Sequence, residues 1–95
     1  MTFAIRYKYG RASPEAQALI VGSGEHPNAM MNKRRLALPF DKMRVGDSLL
    51  FHYAELLEWE WRNARASARR VNNELGYEML ACVKHETMLE IVRIA

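Results

Sequence analysis

The chain has 95 residues, 49% hydrophobic and 26% charged, a balance that excludes general disorder and fits one folding unit with a modest core. Its net charge of +3 and pI near 9.3 exclude an acidic mimic of DNA and permit a nucleic-acid partner. A single cysteine, Cys82, excludes an internal disulfide, no apolar run approaches the ~20 residues of a membrane span, and the N-terminus lacks the charged start and apolar core of a signal peptide.

In chain order, Phe3, Ile5, Tyr7 and Tyr9 alternate with Ala4, Arg6 and Lys8, a period of two that predicts a half-buried strand closed by Gly10. Ser13-Pro14-Glu15 supplies a hydroxyl cap, a first-turn proline and an acid, and predicts a short helix over 14–21 ahead of Gly22 and Gly24. Residues 22–35 have no period and many Gly, Pro and Asn, which reads as a loop ending in Lys33-Arg34-Arg35. Leu36-Ala37-Leu38 is a candidate short strand stopped by Pro39. Phe40 to Val45 reads as a compact turn, and Ser48 to Tyr53 as a buried strand entered through Gly46-Asp47.

Residues 57–75 carry two stripes. Leu57, Trp61, Ala64, Ala68, Val71 and Leu75 recur at helical spacing and form a core-seeking face. Arg62, Arg65, Arg69 and Asn72 follow one residue later, a rotation of about 100° that sets them along the flank. The helix is expected to begin between Ala54 and Asn63 and to end at Leu75, with Gly76 as its C-cap. Trp59 points away from Trp61 and is expected to be exposed if the helix starts early. Tyr77 to Val83 and Met88 to Ile94 read as a hairpin around Lys84 to Thr87. The expected fold is α+β: one domain, 1–95, with a small antiparallel sheet, the long helix packed across one face, and a short N-terminal helix. Residues 1–35 form its N-terminal part and 36–95 its core.

The run Leu38-Pro39-Phe40-Asp41-Lys42-Met43-Arg44-Val45-Gly46-Asp47-Ser48, the stretch Arg65 to Arg70 leading to Gly76, and Ile91-Val92-Arg93-Ile94 together resemble a group of small tailed-phage and prophage proteins. The resemblance covers about residues 36–95. It implies a phage context and a shared fold, with DNA binding as a common suggestion for the group. Residues 1–35 lie outside the pattern, and 54–62, with two Trp and three Glu, departs from it. Physically the run reads as structure. Pro39 and Gly46 set turn dihedrals, Phe40, Met43 and Val45 plug the core, and Asp47 bonds nearby amides.

Catalytic motifs are not evident: there is no Gly-x-Ser-x-Gly, phosphate loop or paired carboxylates, so the expectation is a non-enzyme without cofactor. His26, His52, His85 and Cys82 have no metal-ligand spacing, so no metal is expected. Charge is the stronger signal. Residues 1–35 hold six Lys/Arg against two acids, and window 62–73 holds four Arg and no acid. Arg62, Arg65, Arg69, Arg70, Asn72 and Asn73, with Lys33, Arg34 and Arg35, are the candidate contacts to phosphates and base edges. The bland alternative is a solvated face, with Glu58–Arg62 and Arg70–Glu74 pairs at i,i+4. Trp59, with Met30-Met31, is the candidate contact for a host protein complex such as a defence nuclease, which a phage inhibitor would target. Either way a soluble protein of the bacterial cytoplasm is expected; oligomeric state is not legible.

Overall fold

The computed structural model describes residues 10–20, 38 and 40–95. The expected strand at 3–9, the loop 22–35 with Lys33, Arg34 and Arg35, residues 36 and 37, and Pro39 lie outside the described residues.

The sheet is organised around the C-terminal strand. In Met88–Arg93 the apolar residues occupy both faces, and Leu89, Glu90, Ile91 and Val92 are all buried, the pattern of a strand covered on both sides. With β1 (Gly10–Arg11), β2 (Asp47–His52), β3 (Leu80–Lys84) and Met88–Arg93 as β4, the order is β1-β2-β4-β3, and every pairing is antiparallel. Register sets Leu49, Ile91 and Cys82 in one cross-strand row and Phe51, Leu89 and Lys84 in the next, all on one face. β2 and β3 therefore run in the same direction on either side of β4. The crossover between them is α2 (Glu58–Leu75).

α2 lies on that face through Ala64, Ala68 and Val71, and the two alanines let its backbone come close to the sheet. Trp61 and Leu75 flank this seam half-buried. Leu57, read as part of the apolar stripe, is instead the N-cap: its backbone is extended and its side chain is 62% exposed. The four-residue spacing from Trp61 continues through it, but the chain leaves the helix there, and Leu56 fills the core in its place. The Leu57 amide donates to the Glu60 carboxylate (3.0 Å), which caps the helix start. At the other end Gly76, at φ +81°, terminates α2 and donates to the Asn72 carbonyl.

The opposite face is also covered, which the sequence reading did not anticipate. Ala12, Ala16, Ala81, Val92 and Ile94 form a second apolar cluster there, with Ile20 and Val83 packed against it. α1 (Pro14–Gln17) is shorter than the expected 14–21, because Leu19 and Ile20 donate three residues back and tighten the chain out of the α-helix. Ser13 caps it, accepting from the Ala16 amide. Gly10 and Arg11 pair with Ser48 and Asp47, so strand structure continues one residue past Gly10.

The run from Phe40 to Ser48 is a structural knot. Phe40 and Met43 are buried, whereas Val45 is only half-buried. A 3-10 turn, Phe40–Lys42, leads to Gly46 at φ +95°, which donates to the Arg93 carbonyl and accepts from the Ala12 amide. Asp47 accepts from the Arg44 amide (2.9 Å), and the Arg93 guanidinium donates to the Met43 carbonyl. Two of the segments that carry the sequence resemblance are thus bonded directly to each other. Among the described residues, no helix is long and apolar enough to cross a membrane.

Candidate nucleic-acid interface

The arginine flank of α2 faces β3. Arg62, Arg65 and Arg69 line a groove of ≈ 280 Å³ together with Trp61, Ala66 and Lys84. Lys84 arrives from the end of β3, on the same face as α2 because β3 alternates Leu80, Cys82 and Lys84 toward the helix. Its Nζ lies 5.7 Å from the Trp61 ring centroid, and the Arg62 guanidinium lies 5.6 Å from it. Tyr53 packs on the same indole, centroids 5.0 Å apart at 55°. Four cations from two elements therefore line one groove, two of them over the Trp61 ring, and among the described residues no carboxylate lines it.

The same charges act on neighbouring ionisable groups. Burial raises the Tyr53 phenol, and the positive charge of Arg65 partly offsets it. Burial likewise pushes the Cys82 thiol up to about 11, against the opposing pull of Arg65 and Arg69. Cys82 is thus a protonated thiol at neutral pH, packed beneath the arginine row rather than a nucleophile. Arg62 is paired with Glu58 (2.7 Å), as its spacing predicts. Both side chains are about two-thirds exposed, so the pair contributes only ~0.3–0.5 kcal/mol and does not hold Arg62 back from a stronger anion.

The remaining predicted residues separate. Arg70 sits about 140° around α2 from Arg65 and lies on the other flank. Asn72 is committed to the fold. Its Oδ1 accepts from the Met79 and Leu80 amides (3.0 and 2.9 Å), and its Nδ2 donates to the Leu80 carbonyl (2.8 Å). It anchors the start of β3 to the last turn of α2, which is why Tyr77 to Met79 precede the strand instead of joining it. Asn73 is exposed and borders a separate hollow with Arg69, Gly76, Tyr77 and Glu78, where the Glu78 carboxylate opposes an anion. Trp59 is 42% exposed beside exposed Leu57, away from the groove. Lys33, Arg34 and Arg35 lie outside the described residues.

A second polar cluster escaped the sequence reading. Glu90 is 1% exposed, yet it accepts from the Ser13 amide (2.8 Å), the Ser13 hydroxyl (2.5 Å) and the His85 ring (2.7 Å). The signal was a lone acid inside Met88-Leu89-Glu90-Ile91-Val92. Burial raises its carboxyl, but the hydrogen bonds from Ser13 and His85 outweigh this and hold it below its ordinary value. The order Ser13–Glu90–His85 puts the carboxylate in the middle, so His85 is not placed to take the Ser13 proton as a nucleophilic relay requires. Among the described residues, no group of three His, Cys, Asp or Glu is placed to hold a metal ion.

No protein-family model, curated protein or solved structure matches this chain.

Proposed function

We propose that this is a small phage or prophage regulator of the bacterial cytoplasm that binds nucleic acid through the groove between α2 and the end of β3. The observation that carries this reading is that Arg62, Arg65, Arg69 and Lys84 line one groove with Trp61, Arg62 and Lys84 lying over its ring, and that no carboxylate among the described residues lines it. Guanidiniums hold phosphates, and an aromatic floor gives a base something to rest on. The excess of basic residues in 1–35 adds to the chain's attraction for phosphates. Fluorescence anisotropy with labelled duplex and single-stranded oligonucleotides, at low and physiological salt, is the test. Binding that weakens with salt is expected, and no binding at low salt sinks the proposal. Arg65→Glu with Arg69→Glu should abolish binding while thermal unfolding stays cooperative, because both side chains are exposed.

A second reading rests on a different surface. Leu57 and Trp59 are both exposed at the start of α2, and an exposed tryptophan is the kind of aromatic anchor that protein partners use. Under it the protein is a non-enzymatic inhibitor of a host complex such as a defence nuclease. A pull-down from nuclease-treated host lysate, repeated with Trp59→Ala, separates the two: a retained protein lost on that substitution favours inhibition.

A further inference from the structure

We infer that the groove takes single-stranded nucleic acid, with one base lying against Trp61 and its flanking phosphates held by Arg62, Arg65, Arg69 and Lys84; this rests on the nucleic-acid reading above. Two observations favour a single strand over a duplex.

The floor of the groove is aromatic: Trp61 lines it, braced by Tyr53 at 5.0 Å, and a ring face can stack on an unpaired base but not on one held inside a duplex. The two cations over the indole, at 5.6 and 5.7 Å, are the second observation. A base entering the groove displaces one of them from the ring. The displaced Arg62 or Lys84 is then beside the phosphate joined to that base, so the cation–π contact given up is replaced by stacking and by a charge-assisted hydrogen bond.

Trp59→Phe leaves Trp61 as the sole tryptophan, and this protein is titrated with a single-stranded oligonucleotide and with a duplex of the same sequence. Expected are quenching of Trp61 by the single strand, binding roughly tenfold or more tighter than to the duplex, and loss of that preference in Trp61→Leu. Because Trp61 also packs on the core, the quenching in the Trp59→Phe protein stands by itself if Trp61→Leu does not fold. Duplex bound as tightly as single strand, or single strand bound without quenching, overturns the inference and leaves the proposed function intact. Failure to bind either nucleic acid overturns both.

Discussion

Glu90 carries its charge with 1% of its surface exposed because each lost water contact is replaced by a donor from Ser13 or His85. Its carboxyl is held below its ordinary value in the folded chain, so the folded state favours the ionised form. The stability this contributes is present above the unfolded carboxyl value, about 4.3, and is lost as pH falls through the lower folded value. Glu90→Gln, which turns one acceptor into a donor facing Ser13 or His85, should lower stability at pH 7 by about 1–3 kcal/mol. In urea unfolding, the gap between the two proteins should narrow in acid; an undiminished gap below pH ~3 means the carboxylate charge is not what the network needs. Asn72 has the same character. Asn72→Ala strands the Met79 and Leu80 amides and should destabilise by about 1–3 kcal/mol, while the affinity of the folded protein for an oligonucleotide stays unchanged. A loss of affinity in the folded variant would return Asn72 to the interface.

At the scale of elements, what could be read from sequence was what depends on neighbours along the chain. The end of α2 was legible because Gly76 alone satisfies φ +81° there; since nothing lies within 4 Å of an added Cβ, Gly76→Ala introduces backbone strain without a clash. Such strain is about 1 kcal/mol, so a melting temperature about 4–8 °C lower by circular dichroism is expected, and an unchanged one counts against the cap. The start of α2 was not legible, because helical spacing carries through Leu57 although burial shifts to Leu56. The same limit applies to the groove. Arg62, Arg65 and Arg69 follow from period, but Lys84 joins them only through the β3–β4 register, and the hydrogen bonds that remove Asn72 come from residues beyond the turn. The cover on the second face was hidden because it is built from alanines, Ala12 and Ala16, whose small side chains give no periodic signal.

For the whole molecule, the net charge of +3 understates how positive the groove is: four cations line it, against the Glu58 carboxylate paired with Arg62. Counterion release turns that arrangement into a number. If a single strand neutralises Arg62, Arg65, Arg69 and Lys84, log K should fall against log salt with a slope of about −0.7 per phosphate, or roughly −3 in total. Should Lys33, Arg34 and Arg35 also reach the strand, the slope steepens to roughly −5, and alanine at those three positions should bring it back toward −3. Arg70 provides the control that total charge cannot mimic, since it carries the same charge on the opposite flank of α2. Arg70→Ala should leave the slope where it was, whereas Arg65→Ala should make it shallower by about 0.7. Equal losses from the two substitutions would mean that the partner senses the charge of the molecule as a whole, and the groove would lose its claim to be the site.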